Sequence, residues 1–370
     1  MNILMIIDSI DIGGAETHLI NLVEALKKHG YKSFVTSSGG IYEEELRKEG
    51  IDHYKLPINS KNPLNICLTL IKLRKYVKDN AIDLIHAHGR MPAFIGDLLS
   101  KVTGVHFITT AHAKVEANSL YKYITTYGEF VISVSEDIKK HIMKAFDVDK
   151  NIIKIIPNGI NTNKFKKSEK DEELIKSLEL SSDALRIMLV SRMDGKLGQI
   201  AIDLARDFKK INSERALELM VVGDGDRFEE LNGLSKSSSV KILGKRSDIH
   251  KIINLSDIVV AVSRSALEAM ASERLVVLAG GEGYLGFFDK NIIEDAYSDN
   301  FTGRNCSTKY SIELLMKDIE KAISMLETQD GNVLGEFSRE IILKNYSLDQ
   351  TVLETIEIYE RVIGGPLDEK

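Results

Sequence analysis

Several clusters of polar residues in this chain have the types and spacing that chemistry needs. The sharpest is Ser263-Arg264-Ser265-Ala266-Leu267-Glu268. An apolar β-rich run leads into a small-residue turn, and a helix is expected to begin near Ser265. Unpaired amides at such a start, around Ser265, Ala266 and Leu267, can hold a phosphate. Glu268 lies about one turn further on. There a carboxylate can accept hydrogen bonds from vicinal sugar hydroxyls. It can equally offset the helix dipole, an effect of ~0.3–1 kcal/mol.

Arg192 and Lys196 stand in Ser-Arg-Met-Asp-Gly-Lys, just past another apolar run. Together they can clamp a diphosphate, Arg as a fork and Lys as a point charge. A solvated loop is the alternative. His86-Ala87-His88 and Thr110-Ala111-His112 each close a β-rich run. His-x-His on a strand puts both rings on one face, as a metal site would. No Cys, Asp or Glu completes a set, so no metal is expected. One ring is read as packed and hydrogen-bonded, and His112 as reaching the ligand. Gly13 and Gly14 open a helix and let backbone approach a ligand closely. Their loop is not GxGxxG, so no nicotinamide cofactor is supported. Asp224 and Asp226, in Gly223-Asp224-Gly225-Asp226, read as a turn rather than a cation site.

The elements that must position these groups alternate along nearly the whole chain. Strands are expected at Asn2–Asp8, Lys32–Ser38, Asp83–His88, His106–His112, Phe130–Ser135 and Ile153–Pro157. Between the first two, Leu19, Leu22, Val23 and Leu26 have the spacing of an amphipathic helix. A polar stretch over 163–183 follows. Strands resume at Leu185–Ser191, Leu217–Gly223, Val240–Leu243, Ile258–Val262 and Leu275–Ala279. This is an α/β chain of two domains with parallel, doubly wound sheets. The boundaries are 1–162, completed by a terminal helix over 347–370, and 163–346. That helix shows one apolar stripe, Val352, Ile356, Tyr359 and Ile363. Ligands of such sheets sit beyond the strands' carboxyl ends, where every cluster above falls. Two such domains face to face would enclose a cleft.

Composition excludes other classes. The 370 residues are 28% charged and 43% hydrophobic, ordinary for a globular chain. Net charge is −6, split as +3 over residues 1–165 and −9 over the rest. No basic excess points to nucleic acid. No window is apolar enough for a membrane helix. Met1–Asp8 reads as a strand, not a signal peptide. The two cysteines, Cys67 and Cys306, fit a reducing, cytoplasmic setting. Lys72, Arg74, Lys75 and Lys78 share a helix with Leu68, Ile71 and Leu73. That helix is either a solvated face or a contact with an anionic membrane surface, the inner face of the plasma membrane.

Taken in order, these pieces resemble glycosyltransferase family 4. The resemblance rests on Gly-Gly-Ala-Glu, Asp-Leu-Ile-His-Ala-His, Thr-Ala-His, Val-Ser-Glu, Ile-Pro-Asn-Gly-Ile-Asn with Phe165, Ser-Arg-Met-Asp-Gly-Lys, Val-Gly-Asp-Gly, Leu-Gly-Lys-Arg and Leu-Glu-Ala-Met-Ala. It implies a GT-B fold: two facing Rossmann-like domains, a cleft between them, and a C-terminal crossover helix. It implies a retaining, metal-independent transfer from a nucleotide-diphosphate sugar, UDP-sugar favoured. The acceptor would be a glycan, lipid-linked or protein acceptor of the cell envelope, met by the first domain. Arg192 and Lys196 would then bind the diphosphate, with amides around Ser265 to Leu267. Glu268 would hold the ribose. Gly223 and Gly244 would line the donor site, Gly244 facing the base. His112 would approach the transferred sugar, with Gly13 and Gly14 between donor and acceptor.

The chain also departs from the family. A first glutamate usually stands eight positions before the one that Glu268 matches, and Val260 occupies that place. Glu282, in Gly280-Gly281-Glu282-Gly283-Tyr284, is assigned the donor-sugar contact instead. Two other readings stay open: a non-catalytic partner of an active transferase, and a sugar-nucleotide epimerase.

Overall fold

A computed structural model describes residues 1–118, 122, 124–234 and 239–364. The chain forms two compact units, Met1–Gly159 joined by the chain from Leu348, and Ile160–Ser347. The first holds seven strands: β1 (Asn2–Ile7), β2 (Lys32–Ser37), β3 (Asp52–Lys55), β4 (Leu84–His88), β5 (His106–Ala111), β6 (Phe130–Ser133) and β7 (Ile153–Ile155). All pair in parallel, in the order β3-β2-β1-β4-β5-β6-β7. β1 is buried on both faces, as the unbroken apolar run Ile3–Ile7 requires. β3 has no such signature. It is a polar edge strand, exposed at Asp52 and Lys55, and hydrophobic patterning passes over it.

Three helices of this unit matter here: α1 (Gly14–Lys28), α2 (Pro63–Asp79) and α3 (Arg90–Thr103). α1 buries Leu19, Leu22, Val23 and Leu26.

The second unit holds β8 (Leu185–Val190), β9 (Leu217–Val222), β10 (Val240–Gly244), β11 (Ile258–Ala261), β12 (Leu275–Ala279) and β13 (Tyr284–Phe287). Their order is β10-β9-β8-β11-β12-β13, and among the described residues only the β12–β13 pair is antiparallel. β13 is short and carries Gly286 at φ +80, which hides it in the sequence. Two helices begin at strand ends here, α4 (Gly195–Asp207) after β8 and α5 (Ser263–Ala271) after β11.

The terminal helix α6 (Leu348–Gly364) belongs to the first unit. It buries Val352, Ile356 and Tyr359 in that unit's core, whereas Ile363 is 36% exposed and falls outside the stripe. Positions 365–370 of the expected helix lie outside the described residues.

Strand order reverses between β1 and β4 in the first sheet, and between β8 and β11 in the second. The loops after those four strands flank the two crevices where doubly wound sheets bind ligands.

Candidate functional site

In the second unit the loops after β8 and β11 carry Arg192, Lys196 and the start of α5. Arg192 and Lys196 are both exposed. Lys196 is the second residue of α4, against the positive end of the helix dipole. A cation there is locally unfavourable, and an anion bound between it and the helix amides would reverse the sign.

α5 opens at Ser263, two residues before the expected start. Ser263 N donates to Phe301 O at 2.8 Å. The next amides outside the helix ladder are those of Arg264 and Ser265. Ala266 and Leu267 do not offer the free amides expected of them. They sit past the first turn and are 0% and 1% exposed in the core.

Glu268 is buried as well, and Arg264 Nε donates to its Oε1 at 2.8 Å. Burial pushes the Glu268 carboxyl up, while the charge and hydrogen bond of Arg264, then Lys164, pull it back. Sequence reasoning gives Arg264 no role, although its signal is legible: it precedes Glu268 by four positions on one helix face.

The neighbouring loops close around the same edge. Gly223 N donates to Gly244 O at 3.0 Å, so these two glycines meet. A Cβ on Gly223 (φ +146) would fall on the Ser191 carbonyl oxygen. The Asp224-Gly225-Asp226 segment is a turn tied to α4. Asp226 N donates to Asp194 Oδ1 at 2.9 Å, and Gly195 N donates back to Asp226 Oδ1 at 3.3 Å. After β12, a Cβ on Gly281 would lie 3.1 Å from Lys196 Cβ. The Gly280–Gly283 loop thus packs beside Lys196. Glu282 on that loop is exposed and 4.0 Å from Arg304 Nε.

In the first unit the crevice gathers histidines. The His86 and His88 rings lie on one face of β4, 4.3 Å apart. His86 is fully buried between Tyr359 Oη on Nδ1 and Thr110 Oγ1 on Nε2, each at 2.7 Å. It is the packed, hydrogen-bonded ring. His88 Nδ1 meets His112 Nε2 at 3.0 Å. His18 of α1 adds a further ring, 5.4 Å from His112 and 6.0 Å from His88. Burial holds His86, His88 and His112 neutral: His86 down to about 3, His112 to about 4, His88 well below its usual value. Among the described residues no group of three or more His, Cys, Asp or Glu is arranged to hold a metal ion.

Gly13 precedes α1 and Gly14 is its first residue. A Cβ on Gly13 would collide with the Glu16 carboxylate, which folds back over the loop. Asp8, just past β1, faces Gly89, whose added Cβ would stand 3.0 Å from Asp8 Oδ2. Burial, and then the charge of Glu16, push Asp8 up to about 6. His18, Asp8 and Asn158, whose side chain bonds to His112, escape sequence reasoning because only the fold brings them to one end.

Two family models match the chain: Glycosyltransferase Family 4 over residues 12–164, and Glycosyl transferases group 1 over residues 184–288. The chain is 26% identical to an uncharacterized glycosyltransferase of Methanocaldococcus jannaschii, over 74% of this chain and 78% of that one. It is 23% identical to the UDP-Gal:alpha-D-GlcNAc-diphosphoundecaprenol alpha-1,3-galactosyltransferase of Escherichia coli, over 79% and 78%. Among solved structures, Anabaena HepE in complex with UDP superposes with a TM-score of 0.76 at 19% identity, over 97% of this chain and 100% of that one.

Proposed function

Because the chain belongs to the family 4 and group 1 glycosyltransferases and has their GT-B fold, we propose that it moves a hexosyl group from a UDP-sugar to a glycan or lipid-linked acceptor, with retained configuration and without a metal ion. The observation that carries this reading is the set at the switch point of the second sheet. Arg192 and Lys196 follow β8, two amides of α5 follow β11, and Glu268 lies one turn behind them. Cations and amides complement a diphosphate, and the buried carboxylate complements vicinal hydroxyls. A nucleoside diphosphate carries both groups in that order.

In this reading Arg192 and Lys196 neutralise the charge that grows on the leaving diphosphate. One preorganised donor of this kind contributes about 2.7–4 kcal/mol to a transition state in other enzymes. Gly223 and Gly244 border the base, Glu282 takes a hydroxyl of the donor sugar, and His112 is assigned to the transferred sugar. Gly13 and Gly14 leave room for donor and acceptor. Two relatives support the donor and acceptor classes. The Escherichia coli enzyme is named for a UDP-Gal donor and a diphosphoundecaprenol-linked acceptor, and HepE binds UDP. The exposed apolar and basic side chains of α2 favour contact with an anionic membrane, where a lipid-linked acceptor would lie.

The test is a thermal-shift titration with UDP, GDP and ADP and their sugar conjugates, in EDTA. A ligand that binds only the folded chain raises stability by RT ln(1 + [L]/Kd). A shift with UDP ligands alone is expected. No shift with any nucleotide would overturn the reading and favour a non-catalytic partner. Conversion of a nucleotide sugar without an acceptor and without release of nucleotide would favour an epimerase.

A further inference from the structure

The His88–His112 contact has two possible proton arrangements, and the surroundings select one. Both rings are neutral, so each carries one N–H, and one of those protons lies in the 3.0 Å contact between His88 Nδ1 and His112 Nε2. The two outer nitrogens, His88 Nε2 and His112 Nδ1, are both buried, and His88 Nε2 has no hydrogen-bond partner in the structure. The polar group facing His112 is the Asn158 side chain, whose buried Oδ1 engages no other group and whose hydrogen bond with His112 opposes the effect of burial on that ring.

If His112 donated from Nε2, its bare Nδ1 would face the bare Asn158 oxygen, and His88 would bury an orphan N–H. Buried donors without partners are costly and rare. If His88 donates instead, His112 carries its proton on Nδ1, facing an oxygen, and the one unmatched site is a lone pair on His88 Nε2. The second arrangement satisfies more groups.

We infer that His88 is a positioning residue: its Nδ1–H donates to His112 Nε2 and holds His112 as the Nδ1–H tautomer. His112 then carries its proton on Nδ1 and turns that donor to the Asn158 side chain. Fixing the tautomer decides which ring nitrogen carries the proton, and its consequence for transfer rests on the proposed role of His112. His88 is in turn held through its neighbour. The His86 ring, 4.3 Å away, is pinned by Thr110 and by Tyr359 of α6. The His-x-His spacing thus serves as an anchored pair, one ring fixed by hydroxyls and the next fixing the tautomer of a third.

The test uses the full chain labelled with 15N-histidine. Imidazole nitrogen shifts separate protonated from bare nitrogens in each ring. In the wild type His112 is expected with Nδ1 protonated and Nε2 bare. His88→Phe removes the donor, so the His112 signal should move to Nε2–H or to a mixture. Transfer kcat should fall about 100-fold, with UDP affinity unchanged because that site lies on the second unit. His88→Asn places an amide N–H near the same point and should restore the tautomer and most of kcat. Nε2–H on His112 in the wild type would overturn the inference. So would an unchanged tautomer in His88→Phe. Should His88→Phe not fold, the wild type and His88→Asn spectra decide alone. A wild type that shows the expected tautomer but binds no nucleotide would sink the proposed function and leave the tautomer assignment standing.

Discussion

Arg264 and Glu268 form an ion pair across one turn of α5, Nε to Oε1 at 2.8 Å, with only 12% and 10% of the two side chains exposed. The pair stands at the switch point of the second sheet, on the helix that opens directly after β11. It opposes the burial that pushes the Glu268 carboxyl up, without cancelling it. A charged Glu268 accepts hydrogen bonds from hydroxyls better than a neutral one.

Removing Arg264 therefore acts on stability and binding together. Arg264→Met leaves Glu268 buried without its hydrogen-bonded cation, a loss of about 3–5 kcal/mol in comparable pairs. Arg264→Met with Glu268→Leu should recover most of that loss in urea unfolding. Glu268→Gln keeps the shape but weakens UDP binding, by about 1.5–3 kcal/mol if the hydroxyl contact is charge-assisted. It should also abolish discrimination between UDP and 2′-deoxy-UDP. Equal discrimination in Glu268→Gln and wild type would remove Glu268 from the ribose.

Arg192 and Lys196 are exposed, so alanine at either position should leave the fold intact. Each variant should lose about 10²–10³ in kcat. Lys196→Ala carries a second, opposite expectation. Relieving a cation from the helix N-terminus should raise the stability of the ligand-free chain by about 0.3–1 kcal/mol. Wild-type turnover in both variants would sink the diphosphate assignment.

Acid should destabilise the first unit. His86, His88 and His112 titrate near 6.5 when unfolded but at about 3, well below, and at about 4 when folded. Their folded pKa values are depressed, so the unfolded chain takes up protons first as pH falls. Stability is full above about 6.5 and is lost as pH drops toward 4. Each histidine that is protonated only in the unfolded chain costs about 1.4 kcal/mol per pH step. Asp8 acts the other way. Its folded value, about 6, exceeds the unfolded 3.8, so its contribution is present below 3.8 and lost as pH rises through 6. Three histidines outweigh one aspartate. Urea midpoints should fall from pH 7 to pH 4, and Asp8→Asn should raise the midpoint at pH 7 and steepen the fall. A midpoint that rises on acidification contradicts the assignment of neutral histidines.

Gly223 is a position where no side chain fits. Its φ is +146 and an added Cβ would overlap the Ser191 carbonyl oxygen. Gly223→Ala must move backbone at the end of β8, next to Arg192. The expected result is a loss of several kcal/mol in the second unit, or nucleotide binding too weak to measure in a folded variant. A variant with native stability and native UDP affinity would show that the loop adapts freely.

On α2, Leu64, Leu68 and Ile71 are 73%, 56% and 62% exposed, beside the exposed Lys72, Arg74, Lys75 and Lys78. Leu73 and Val77 hold the opposite side of the helix to the core. An apolar stripe rimmed by cations suits an anionic bilayer surface. The chain should sediment with phosphatidylglycerol vesicles and not with phosphatidylcholine vesicles. Leu68→Asp with Ile71→Asp should abolish that binding without lowering stability. Equal recovery with both vesicle types would reduce α2 to a solvated face.

Much of this chain is legible before folding. Local patterns carry local structure: the unbroken apolar run Ile3–Ile7 marks a doubly covered strand, and Leu19, Leu22, Val23 and Leu26 mark a helix face. Glycines and cations just past such runs place Arg192, Lys196, Gly223 and Glu268 at strand ends, because a parallel sheet puts every such end on one edge. The ordered motifs then carry the family and with it the fold. The edge strand Asp52–Lys55 and the antiparallel Tyr284–Phe287 stay hidden, since their pairing comes from neighbours and not from their own residues.

Only the tertiary structure decided what each polar group faces. His88 meets His112 because β4 and β5 pair in register, with His88 opposite Thr110. Tyr359 reaches His86 across 273 positions of sequence. Ala266 and Leu267 became core, and the helix starts at Ser263, whose amide donates to Phe301 O. Hydrophobic periodicity is a one-dimensional signal that a short window contains. Proton placement and charge pairing depend on distances between residues far apart in the chain, and those exist only once the sheets have formed.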